Sequence, residues 1–192
     1  MLRGTLFAAC LLAGLWQLGG AAWLLAKAEL AQYLIAAAWE EKLSSGESVE
    51  PWPWADTRPV AKLQLADREP LMVLAGGSGQ ALAFGPGMLP ASGEPGEART
   101  TAIAAHRDTH FTGLDQLQPG APIRLQDGRG RWHHYRVMET RVVNSERERL
   151  PVFAEPGLLL VTCYPFGAVD PGGPLRYLVY AEYLPGGPPV QL

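Results

Sequence analysis

The sequence predicts an all-β domain, a closed barrel of about eight strands, set behind an N-terminal transmembrane helix. Three observations predict it. After Pro59 the chain is a succession of short apolar or alternating runs with almost no long helical periodicity: VAKLQL, LMVLA, ALAFG, TTAIAA, PIRLQ, WHHYRVMETRVV, LLLVTC and LRYLVYAEYL. Gly and Pro separate these runs, and QDGRG carries Asp127-Gly128 between two strand patterns, a hairpin signal. GGSG at 76–79, ahead of a short apolar run, reads as a second turn. The third observation is that the apolar amino-terminal stretch differs sharply from everything after it. An antiparallel sandwich or barrel fits such strands, and closure is favoured because it leaves no exposed edge in a small domain.

From Gly4 to Ala26 there is no charged residue, and as a helix this segment rises about 35 Å, slightly more than a hydrocarbon core. Arg3 precedes it, and Trp16 and Trp23 lie in its second half, where aromatic rings settle at the interface. The expected arrangement is a single pass through the cell membrane, with a cytoplasmic amino terminus and the domain on the external or periplasmic side. A cleaved signal peptide is the competing reading, although the apolar stretch is longer than a usual h-region. Beyond it Leu30, Tyr33, Leu34, Ala37 and Ala38 fall at helical spacing, so the helix continues as a stalk or docks on the domain. The expected organisation is an anchor and stalk over 1–42, a Gly, Ser and Pro-broken linker over 43–59, the barrel over 60–185 and a Gly/Pro-rich tail over 186–192.

Composition excludes several classes of function. The net charge is −3 and the basic residues are dispersed, which leaves no stripe for nucleic acid. The two cysteines, Cys10 in the apolar stretch and Cys163 in the domain, are not placed to pair. The histidines and cysteines lack paired ligand spacing, so no metal or other cofactor is expected. Glu94, Glu97, Glu146, Glu148 and Glu155 fall in predicted loops and have the chemistry to hold calcium, but solvated carboxylates are the default there.

Cys163 ends the run LLLVTC and is followed at once by Tyr164-Pro165, so its thiol is expected where a buried strand emerges into a loop. It is either a buried apolar filler or a working nucleophile. Arg176 opens the last strand after a Gly/Pro-rich loop, and antiparallel pairing would set it beside Cys163. There it would bond an oxyanion or align a substrate, or simply cap a strand at the surface. His106 follows TTAIAA at the head of the polar segment HRDTHF and is also expected at a strand end. An imidazole and a guanidinium near a thiol favour the thiolate and supply an acid for a leaving amine. His110 is expected near the same rim, whereas His133 and His134 alternate within one strand and read as structural.

A Cys, a His and an Arg at the strand ends of a small barrel behind an amino-terminal anchor resemble the sortase family, over roughly Val60 to Leu184. TAIAAHRDTHFTGLDQLQPGAPI resembles the family's histidine strand and following hairpin, LLVTCYPF its TLxTC signature, and LRYLVYAEYL its arginine strand. The resemblance implies that Cys163 is the nucleophile, His106 the acid, Arg176 the oxyanion or substrate ligand and Thr162 a substrate contact. It implies a secreted substrate with a C-terminal LPxTG-like sorting signal, a thioacyl intermediate and an amine acceptor at the cell surface. The composition and compact domain are similar to the sortases of Gram-negative bacteria. Leu159 stands where the signature has its first Thr, Ala105 where a Gly is common, and NSERERLPVFAEPG, in the place of the substrate-recognition loop, is short and highly charged.

Three alternatives stand beside this reading. A hydrolytic cysteine peptidase would use the same residues with water as acceptor. An L,D-transpeptidase also joins Cys and His on a β-rich fold, but its His-Gly-Cys-x-Arg type signature is missing. A noncatalytic, membrane-tethered barrel would bind a partner through its rim loops and keep Cys163 as core filler.

Overall fold

The computed structural model describes residues 2–90, 92–150, 154–168 and 172–187. The carboxyl-terminal part of the expected tail, 188–192, lies outside the described residues. The first element, α1 (Leu2–Ser45), is one unbroken helix. It is the one described helix long and apolar enough to cross a membrane. Its carboxyl-terminal third docks on the barrel: Ala31, Ile35, Ala38 and Trp39 are buried, at the spacing of a single helical stripe. This differs from the expected stripe, because Leu30 and Tyr33 face outward. In a helix apolar on nearly every side, several periodicities coexist and the sequence does not mark which one meets the barrel. Two polar contacts fix the docking, from Gln32 Nε2 to the Phe84 carbonyl at 2.8 Å and from Lys62 Nζ to Glu40 at 3.4 Å.

Eight strands follow: β1 (Pro59–Leu65), β2 (Leu71–Ala75), β3 (Gly87–Met88), β4 (Thr100–Ala104), β5 (Pro122–Gln126), β6 (Trp132–Asn144), β7 (Gly157–Cys163) and β8 (Leu175–Leu184). They close in the order β1-β2-β3-β4-β7-β8-β6-β5. The run ALAFG is not a strand. It belongs to a short helix, α2 (Gly79–Phe84), whose amino end is capped by Ser78 Oγ accepting from the Ala81 amide at 3.1 Å. GGSG is therefore a helix entry and not a hairpin turn. The reason is topological: β2 and β3 pair in parallel, and a parallel pair needs a crossover connection. The two-residue β3 is too short to leave a periodic signal. A second parallel pair, β4 with β7, departs from the all-antiparallel expectation.

Alternation along the strands builds two apolar layers. Leu63, Ile103, Phe111, Leu125, Tyr135, Leu158, Leu160 and Val179 fill the barrel. Ala102, Leu159, Val161 and Leu178 alternate with them and form a second cluster on the outer face of β4, β7 and β8, joined by Val143 of β6. The near-continuous apolar run of β7 is explained by burial on both faces. The hairpin signal at Asp127-Gly128 holds, as a five-residue connection with positive φ at Gly130. Asp127 Oδ1 accepts from the amides of Arg129 and Arg131, and its Oδ2 pairs with His133 Nε2, each at 2.9 Å. His133 thus has the structural place read for it, and His134 lies on the opposite side of the strand.

Burial of Trp39 and Ile35 makes α1 part of the folded unit, each large apolar side chain contributing about 1.5–3 kcal/mol. A fragment starting at Glu50 is expected to lose roughly 3–6 kcal/mol against one starting at Ala28. Urea unfolding of the two fragments measures the difference.

Candidate active site

The two pairings of β7 position the three residues singled out by sequence. The parallel register with β4 runs Ala104 against Val161 and is extended by the Ala105 amide bonding the Val161 carbonyl at 3.1 Å. The Thr162 hydroxyl then donates to the Ala105 carbonyl at 2.7 Å. His106 is the next residue and leaves β4 beside the end of β7. On the other flank, Cys163 is the direct antiparallel partner of Arg176. By alternation Cys163 and Arg176 share the outer face with Val161 and Leu178, and His106 follows two residues after Ala104, the last residue of β4. The structure therefore brings Cys163, His106 and Arg176 to one rim of the barrel. The Cys163 thiol is half-buried and free of any disulfide, and His106 is exposed.

Thr162 is 2% exposed, so its hydroxyl ties the cysteine strand to the histidine segment and is not displayed to solvent. The Arg176 guanidinium is folded onto its own strand entry, Nη1 donating to the carbonyls of Gly173 at 2.7 Å and Leu175 at 2.8 Å. Among the described residues its Nε and Nη2 have no acceptor, so the edge that can form a fork with an anionic oxygen is available.

Arg107 was not distinguished by the sequence. It is 4% exposed, and its guanidinium donates through Nη1 to the Pro165 carbonyl and through Nη2 to the Ala168 carbonyl, both at 2.8 Å. Nε faces the Asp108 carboxylate at 3.2 Å. The residue after His106 thus clamps the loop after Cys163. Because its acceptors are main-chain carbonyls, no side-chain pattern could have announced the contact; its position next to His106 was the only signal. Tyr164, Phe166 and Tyr177 pack as an aromatic trio around the same loop, with centroids 5.3–6.4 Å apart. From the neighbouring loop, the Ser145 amide and hydroxyl both donate to the Pro174 carbonyl at 2.8 Å. The charged NSERERLPVFAEPG segment is joined in this way to the entry of Arg176, and its residues 151–153, read as part of a recognition loop, lie outside the described residues.

His110 lies close to the rim as expected, its ring bonded to the Ala83 carbonyl of α2. Burial, and then the neighbouring His106, hold its pKa below the ordinary 6.5, against the opposing effect of the Ala83 bond. Among the described residues no three His, Cys, Asp or Glu side chains cluster as a metal site.

The arrangement is a single-thiol site on a barrel rim, with an imidazole on one flank and a guanidinium on the other. The chain belongs to the sortase family: the profile of the Sortase domain matches residues 65–184. It is 30% identical over 90 residues to Sortase D of Bacillus subtilis strain 168. That match covers 46% of this chain and 44% of that protein, so the chain aligns with less than half of the relative's length. Its fold is similar to that of a Clostridium perfringens Sortase D5 transpeptidase, with TM-score 0.58, 24% identity, and coverage of 76% of this chain and 88% of that one. It is also similar to C. perfringens sortase C solved with the C-terminal cell wall sorting motif, with TM-score 0.54, 20% identity, and coverage of 82% and 89%.

Two outcomes test the geometry. Arg107→Ala leaves the Pro165 and Ala168 carbonyls without their charged donor and is expected to cost about 2–4 kcal/mol, with faster amide exchange in the Cys163 loop. Urea unfolding and hydrogen exchange read both effects. For His110, the folded state releases its proton at lower pH than the unfolded chain. Between the folded pKa and 6.5 the unfolded state therefore binds more protons, and stability falls as pH drops through that window. His110→Gln is expected to flatten this limb of the stability profile, leaving the same-signed share from His134.

Proposed function

We propose that this protein is a membrane-anchored cysteine transpeptidase that cleaves an LPxTG-like sorting signal and transfers it to an amine. The observation that carries the reading is that Cys163, His106 and Arg176 come together on one rim, at the ends of three neighbouring strands. Cys163 Sγ attacks the carbonyl carbon of the signal's Thr, in the peptide bond that follows that residue. Arg176, with Nε and Nη2 turned to the substrate, stabilises the oxyanion of the tetrahedral adduct. His106 gives its proton to the leaving amine, and a thioacyl enzyme remains. The acceptor amine attacks the thioester, His106 takes back a proton, and the thiolate leaves.

Thr162 acts as a positioning residue through Ala105 in this scheme, in place of the substrate contact implied by resemblance. The substrate is a secreted protein carrying the signal, which agrees in kind with the sorting motif bound to the C. perfringens sortase C. Family membership and the apolar α1 support a site on the external side of the cell membrane. No cofactor takes part in the scheme.

The full chain in detergent, incubated with an LPxTG-type peptide and a primary amine, is expected to give the peptide joined to the amine, read by mass spectrometry. Cys163→Ala is expected to abolish the product. His106→Ala is expected to reduce kcat/KM by about 10²–10⁴-fold and Arg176→Ala by about 10²–10³-fold. Hydrolysed peptide alone would assign a peptidase instead. A thiol inert to iodoacetamide in the folded protein, with no cleavage, would overturn the catalytic reading.

A further inference from the structure

We propose that the barrel is seated on the bilayer interface by a contact besides the apolar span of α1, made by Trp54 together with Tyr33 in the docked part of α1, which holds the His106 rim close to the lipid headgroups. This rests on α1 being a membrane span. The uncharged segment ends at Ala26, and α1 continues without a break to Ser45. Gln32, which bonds the Phe84 carbonyl of α2, is therefore only about 9 Å along the helix from the end of that segment. The headgroup layer extends roughly 5–8 Å beyond the hydrocarbon core on each side. The barrel is thus fastened to its helix at, or just beyond, the level of the headgroups.

What the protein exposes at this level fits an interface. Tyr33, next to Gln32, is 71% exposed, and Leu30 one turn nearer the membrane is 56% exposed. The Trp52 ring packs edge-on against Phe84 at 5.3 Å, so the turn closed by the Ala55 amide on the Trp52 carbonyl sits at the same height. Trp54, within that turn, is 79% exposed, against 49% for Met138 and 41% for Val142, the other exposed large apolar side chains outside α1. An indole and a phenol beside the exit of a spanning helix have the amphipathic shape that the headgroup region accommodates. Continuity with α1 names lipid as the occupant of this surface.

The same short helix reaches the site. α2 leads into β3, whose Gly87 is the antiparallel partner of Ala104, two residues before His106. One face of α2 thus meets the membrane-proximal part of α1, and its neighbour carries the rim. A seated barrel would meet substrate segments within a few residues of where they leave the bilayer.

The test uses the full chain in phosphatidylcholine/phosphatidylglycerol nanodiscs doped with lipid bearing a headgroup nitroxide. The tryptophan emission lost in Trp54→Phe is expected to be strongly quenched by the nitroxide. Trp54→Glu is expected to lower turnover of a bilayer-anchored sorting peptide several-fold and leave turnover of the free peptide unchanged. A Trp54 component that is unquenched and open to aqueous acrylamide, with Trp16 and Trp23 quenched, overturns the seat and keeps the span. No quenching of any tryptophan overturns both. Shielding from acrylamide without nitroxide quenching assigns the surface to a protein and overturns lipid as its occupant. Equal loss on anchored and free peptide places Trp54 in the fold instead and also overturns the seat.

Discussion

The parallel pairing of β4 with β7 is the constraint on which the site depends. Two parallel strands end at the same rim, so the residue that follows β4 and the residue that closes β7 come together without any help from loop structure. Antiparallel pairing of β7 with β8 then starts the next strand at that same rim. His106, Cys163 and Arg176 are consequently set by main-chain hydrogen bonds along a rigid sheet. Had β4 and β7 run antiparallel, the imidazole and the thiol would lie at opposite ends of the barrel.

Main-chain pairing places the Cα atoms, and the surrounding contacts hold the loops that complete the rim. Arg107 ties the histidine segment to the cysteine loop, Thr162 ties the cysteine strand back to Ala105, and Ser145 ties the charged loop to Pro174. Three loops from distant parts of the chain are joined in this way. The aromatic trio closes the same loop from its other side, with Tyr177 contributed by the strand that carries Arg176.

Burial of a guanidinium and a carboxylate in this domain follows one rule. Arg107 and Asp127 are each surrounded by main-chain partners, two carbonyls for the cation and two amides for the anion. These partners add to the side-chain ones, Asp108 for Arg107 and Arg131 with His133 for Asp127, and together they satisfy the charges. For Arg107 the same pattern hides the contact from a sequence reading, because a peptide group is present at every position.

The sequence by itself determined the strand-rich barrel, the long apolar helix and the identity of Cys163, His106 and Arg176 as residues at strand ends. These are legible because apolar alternation, turn chemistry and residue type are local properties of the chain. It failed at ALAFG, part of a six-residue helix too short for periodicity to separate helix from strand, and at Gly87–Met88, which is shorter than any period. It also misplaced the docking stripe of α1, where nearly every face is apolar. Tertiary structure alone decided the parallel register that brings the histidine to the thiol, the burial of Thr162 and Arg107, and the height at which the barrel joins its helix. Each of these depends on which backbone groups meet across long chain separations, and backbone groups are the same for every sequence.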